Sequence, residues 1–219
     1  LAAISVAEKK YAEAEAMLKE IFARDATNVE AHLLHSQIYV AKGETKKAVE
    51  ELTGLSKHYP GLGVVGYHLA RAHLLEGKAE QAVEVLQKGI ATNPEHVESS
   101  LLLAEISLRR GHAELAARTL LPLLQQYPTL AQGQSLFIAA LRALGRFDDA
   151  AGVVREQIKH SGKNPQPHVL LGSILRQQKK PDDARKSYEA ALGLAPDFPP
   201  AIGELIDLEL AEKNFAAAM

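Results

Sequence analysis

The sequence predicts an all-α fold built from antiparallel helix pairs set in a row. Three observations carry that expectation. An alanine recurs at a fixed step of 34 residues, as Ala14, Ala48, Ala82, Ala116, Ala150, Ala184 and Ala218, with no insertion between them. A glycine precedes it at the same step, as Gly43, Gly77, Gly111 and Gly145. A proline closes the stretch at Pro60, Pro94, Pro128 and Pro196, with Gly162 in its place once. Self-similarity at this period marks a repeat architecture, in which each unit buries its apolar face against its neighbours.

Each element follows from local chemistry. Residues 97–110 place Leu101, Leu102, Leu103, Ala104, Ile106 and Leu108 at helical spacing. Gly111 ends that helix, because glycine takes the left-handed cap conformation at little cost. A second helix over 114–126 carries Leu115, Ala116, Leu120, Leu123 and Leu124 on one side. Tyr127-Pro128 stops it, since the residue before a proline is pushed out of helical geometry. The short turn makes the two helices antiparallel neighbours. The recurring alanine is expected where the second helix crosses the first. Pro122 falls inside the second helix, removes the donor that would reach the Arg118 carbonyl, and predicts a bend near 118–122.

These units resemble the tetratricopeptide repeat (TPR) family, in a bacterial style of array. The unit 165–198 carries Leu171, Gly172, Ala184, Tyr188, Ala191 and Pro196 at the family's places, and 29–62 carries Tyr39, Ala48 and Pro60. The family's large residue at the fourth position is replaced by His32, Gly66, Ser100, Gln134, His168 and Ile202. The resemblance implies a right-handed α-solenoid, a superhelix of such pairs, over 1–219. Five full units are expected at 29–62, 63–96, 97–130, 131–164 and 165–198, between partial ones at 1–28 and 199–219. Both ends fall inside a repeat and are apolar. The expectation is a segment of a longer array, or a chain given without its flanking residues, with end faces that can stack chain on chain.

In the family a concave face is lined by side chains of the first helices. Carried over, the contact residues are Leu33, Gln37, Tyr67, Arg71, Leu74, Leu101, Glu105, Arg109, Arg142 and Arg176. The resemblance implies a protein or peptide ligand with apolar anchors near Tyr67, Leu74 and Leu101. Its acidic portion would lie along the last three arginines, whose forks suit carboxylates. The chaperone-binding lysine–asparagine clamp and the asparagine ladder of O-GlcNAc transferase do not match: Leu33, Tyr67, Leu101, Ser135 and Val169 stand at the clamp lysine, and Leu34, His68, Leu102 and Leu136 at the ladder.

Composition narrows the partner classes. The formal net charge is −2, which gives no field drawing nucleic acid. No apolar run is long enough to span a bilayer. There is no cysteine, so disulfides and thiolate metal sites are excluded. His32 and His35 share a helix face, but that face supplies no carboxylate to complete a metal set, and no metal or cofactor is expected. Ser99, Ser100 and Ser107 have no patterned His/Asp partner. The glycines of 61–66 follow a proline, not a strand, so they read as a turn. No catalytic residue is assigned. The expected function is a scaffold or adaptor, in bacterial envelope or exopolysaccharide-secretion assembly. The alternative is the regulatory or substrate-recruiting arm of a larger enzyme such as a glycosyltransferase. The sequence fixes no compartment.

Overall fold

A computed structural model describes residues 1–212. Every element among them is helical. The order is α1 (Ala2–Ala7), α2 (Tyr11–Arg24), α3 (Val29–Ala41), α4 (Thr45–His58), α5 (Gly63–Leu75), α6 (Ala79–Thr92), α7 (Val97–Arg109), α8 (Ala113–Gln126), α9 (Ala131–Ala143), α10 (Phe147–His160), α11 (Gln166–Gln177), α12 (Pro181–Leu194) and α13 (Pro199–Ala211). The second helices, α2 to α12, begin at 11, 45, 79, 113, 147 and 181, so the 34-residue step of the sequence is a step between helices. The first helices, α3 to α13, begin at 29, 63, 97, 131, 166 and 199. The start of α11 is one residue late. That junction has Gly162 instead of proline.

The chain forms two compact units. The first spans Leu1–Gly111 and the second begins at His112. In the first, each helix packs on its chain neighbour, and α1, α3, α5 and α7 also touch in succession. First helices therefore line one side of this unit. In the second, α8 packs on α9, α9 on α10, α10 on α11, α11 on α12 and α12 on α13. Its core joins Ile138, Leu141, Val154, Ile174, Tyr188 and Leu208 around Ala150 and Ala184.

The step alanines explain the close packing. Ala14, Ala48, Ala82, Ala116, Ala150 and Ala184 are each 0% exposed. Ala218 lies outside the described residues. No side chain larger than a methyl fits such a position without moving a helix. Ala82→Leu is therefore expected to lower stability by roughly 1–3 kcal/mol, read as a shifted urea midpoint at unchanged slope.

The turn between paired helices uses the left-handed region each time. Gly43, Gly77, Gly111 and Gly145 have φ between 71° and 78°. Lys9 and Lys179 occupy the same place in the outer repeats, with φ of 61° and 58°. A side chain there costs about 1–2 kcal/mol in backbone strain, partly offset by glycine's greater freedom in the unfolded chain. Lys179→Gly is expected to stabilise by about 0.5–1 kcal/mol, seen as a higher unfolding temperature.

Pro122 does not end α8, which runs unbroken from Ala113 to Gln126. Pro122 and Arg118 are both exposed, so water reaches the side where the intrahelical bond is lost. Leu120 and Leu123, which face inward, are buried and hold the helix to its unit.

Candidate binding face

The first unit presents a cleft of about 330 Å³ between α3 and α5. Ser36, Gln37, Val40 and Ala41 line it from α3, and His68, Arg71, Ala72 and Leu75 from α5. Helical spacing puts these side chains on one face, since residues three and four apart are neighbours. Ala72 is buried and forms part of the floor. Leu75 is 62% exposed, a large apolar side chain open to solvent.

Arg71 is exposed and lies over the Tyr67 ring, its Cζ 5.5 Å from the ring centroid. It makes no ion pair among the described residues. Its charge is thus oriented but not neutralised. His68 is half-buried next to it, and its pKa is lowered from the ordinary value, chiefly by burial and then by the Arg71 and His96 charges. A neutral imidazole and a free guanidinium therefore stand side by side at neutral pH.

The residues expected from sequence divide sharply. Gln37 and Arg71 both line this cleft. Leu33 is half-buried and packs against Ala48, Leu52, Leu69 and Ala72. Tyr67 is half-buried, with its ring 5.4 Å from His68 and 6.0 Å from His96. Leu74 is half-buried beside the exposed Leu75. Leu101 is only 8% exposed, so little of it can be touched by a ligand. Arg109 is paired with Glu105 at 2.7 Å on the same helix. In the second unit Arg142 Nε donates to Gln177 Oε1 at 3.0 Å, and Arg176 lies 3.1 Å from Glu204. These three arginines are spent on intrachain partners. Ser36 and His68 complete the first cleft and were not among the expected contacts. Their signal was their helical spacing, since Ser36 stands four residues before Val40 and His68 three before Arg71.

The second unit has its own cleft of about 410 Å³ over α11 and α13, lined by Gln166, Val169, Ser173, Pro199, Glu204 and Asp207. Its charged lining is acidic, contrary to the basic character expected there. The reason is that α13 contributes two carboxylates and Glu204 already holds Arg176.

The histidine pair reads differently in three dimensions. His32 Nδ1 lies 2.6 Å and His35 Nδ1 3.1 Å from the same Glu51 oxygen, and His32 Nε2 lies 3.0 Å from the Ala26 carbonyl. A carboxylate does approach the pair, but from α4, which one helix face cannot reveal. Phe22 packs on both rings, at 4.7 and 5.8 Å. Among the described residues, no group of three or more His, Asp or Glu side chains is arranged to hold a metal ion.

Helix pairs at a constant step, a fully buried alanine at each described step and clefts between first helices define a helical-repeat protein. The family model described as "Tetratricopeptide repeat" matches residues 5–71, and a second of the same description matches 138–202 and 169–219. A model described as "Tetratricopeptide repeat protein 21 second ARM domain" matches 44–111. The chain belongs to the tetratricopeptide repeat family.

Among curated proteins it is 22% identical over 149 residues to the TPR repeat-containing protein YpiA of Bacillus subtilis (strain 168), a match over 68% of this chain. The chain spans 35% of that relative's length. Solved structures share the fold. The Naa15/Naa10 complex bound to HypK-THB matches with a TM-score of 0.69 at 12% identity, over 99% of this chain and 34% of that one. YrrB, described as a TPR protein with an unusual peptide-binding site, gives 0.67 at 11% identity, over 85% and 96%. MamA of AMB-1 gives 0.60 at 20% identity, over 78% and 99%. No described helix is long and apolar enough to cross a membrane.

Proposed function

We propose that this chain is a protein-interaction scaffold whose first unit grips a peptide segment of a partner across α3 and α5. One observation carries the reading. An arginine without an ion-pair partner among the described residues and a largely exposed leucine, Arg71 and Leu75, converge on one cleft that Gln37 and His68 also line. A carboxylate suits the guanidinium and an aliphatic side chain suits Leu75 and Val40. YrrB, a neighbour by fold, is described as peptide-binding, which supports the same use of the face. Glu105, Arg109, Arg142 and Arg176 contribute less, because each must first release a partner within the chain.

The test is selection of peptides on the wild-type chain, followed by affinity measurement on variants. Arg71→Glu and Leu75→Glu are each expected to weaken the selected peptides at least tenfold. The Arg71 effect should shrink as salt rises. Affinities within twofold of wild type for both variants would reject the cleft.

The bacterial relative supports a bacterial setting for this adaptor. Envelope or exopolysaccharide-secretion assembly is one setting, by likeness to bacterial arrays, and the recruiting arm of a larger enzyme is the alternative that the family resemblance leaves open. Co-purification with the intact gene product separates them.

A further inference from the structure

The first unit has a second cleft, of about 440 Å³, lined by α4, α5 and α6 and by the turn before α5. Its origin is legible in the repeat. One step earlier, the corresponding slot between α2 and α4 is filled by Phe22, His32 and Glu51, whose rings and carboxylate pack together. Adding 34 to each number gives Ser56, Gly66 and Val85, all of which line the second cleft. Three bulky side chains have become three small ones. A Cβ built on Gly66 would meet only Val85, at 3.9 Å, so the vacant volume begins at the backbone. The walls left behind are apolar, with Leu62, Leu69 and Val85. His73 is 8% exposed and borders the cleft, and its Nδ1 has no hydrogen-bond partner.

The rim differs in charge as well. Lys57 and Lys88 stand where the earlier slot has Ala23 and Gly54. Neither lysine has a carboxylate within ion-pair distance among the described residues, and both are exposed. Glu84 is the one acidic residue in the lining, also without a partner. The rim therefore carries a net positive charge around a slot whose earlier counterpart holds two rings.

We propose that this cleft is a second docking site, which takes an aromatic side chain flanked by carboxylates from a partner protein. The ring replaces the volume that Phe22 and His32 fill one repeat earlier, and the carboxylates meet Lys57 and Lys88. The site lies on different helix faces from Arg71 and Leu75. It goes beyond the peptide cleft already described and does not depend on it.

The experiment uses the whole chain, labelled for amide NMR, and two capped tripeptides, acetyl-Asp-Trp-Asp-amide and acetyl-Lys-Trp-Lys-amide. The acidic peptide is expected to shift the amides of Gly66, Val85 and Gly89 and to bind at least tenfold more tightly than the basic one. That difference should fall with added salt. Gly66→Leu fills the slot and should abolish the shifts without lowering the unfolding temperature. The double variant Lys57→Ala, Lys88→Ala lies on the exposed rim and should remove the preference for the acidic peptide, since only the Glu84 charge is left there. Arg71→Glu should leave all of this unchanged. Equal binding of both peptides to the wild-type chain would overturn the proposal. So would shifts confined to other residues, or undiminished binding to Gly66→Leu or, should that variant not fold, undiminished preference in the lysine double variant.

Discussion

Replacing Tyr188 with alanine is expected to lower the stability of the second unit by about 3–5 kcal/mol, the usual cost of truncating a fully buried aromatic residue. Tyr188 is 0% exposed. Its ring lies against Gly172, and its hydroxyl donates to Glu204 Oε2 at 3.1 Å. Burial, then the Glu204 carboxylate, holds the phenol pKa well above its ordinary value, so the proton stays on at any physiological pH. Truncation would leave a cavity in the core beside Gly172 and remove the donor to Glu204. The partner residue reports on the same contact from the other side. A Cβ at Gly172 would overlap the Tyr188 ring, closer than any real contact. Gly172→Ala should therefore cost roughly 1–3 kcal/mol through overpacking. In the double variant the methyl meets no ring, so the two losses should not add. Urea melts of the four proteins measure this. Additive losses would mean that the two residues do not share a contact.

Arg185→Ala is expected to cost about 2–4 kcal/mol, below the full penalty for breaking a buried pair because water reaches part of the guanidinium. Arg185 of α12 pairs with Glu209 and Glu212 near the end of α13, and with Asp182 at 3.1 Å. The carboxylates of Glu209 and Glu212 hold its pKa above the ordinary arginine value. Glu209 is 4% exposed, so losing this cation leaves a carboxylate in a poorly hydrated place. Arg185→Lys should recover only part of the loss, since an ammonium cannot serve two carboxylates with a planar fork. The readout is the urea midpoint, together with faster amide exchange along α13. A change under 0.5 kcal/mol would show that the pairs behave as ordinary surface contacts.

Repeat spacing and turn chemistry were legible in the sequence because each unit imposes them on itself. A helix crossing that admits only a methyl demands Ala82, Ala116 and Ala150 whatever lies outside. A left-handed turn favours glycine at Gly77 and Gly111 for reasons internal to the backbone. Lys179 shows the limit of that signal, since the turn forms even where the favoured residue is missing. The proposed binding face was only partly legible. Its positions depend on which charges already have partners, and those partners come from other helices. Gln177 reaches Arg142 and Glu204 reaches Arg176 from the next first helix in each case. Glu51 approaches His32 from α4. The Glu105–Arg109 pair was readable in principle, because four residues on one helix bring them together. The cleft behind Gly66 depends on comparing one repeat with the last, side chain by side chain, and a single helix gives no hint of it.

The central functional claim is that a partner segment lies in the cleft between α3 and α5. Photo-crosslinking tests it most directly, with benzoylphenylalanine in place of Leu75 in one protein and in place of Leu121, an exposed leucine of α8, in another. A peptide selected on the wild-type chain should be captured at position 75, with the adduct mapped to one segment of the peptide, and not at 121. Capture at 121 with none at 75 would contradict the claim.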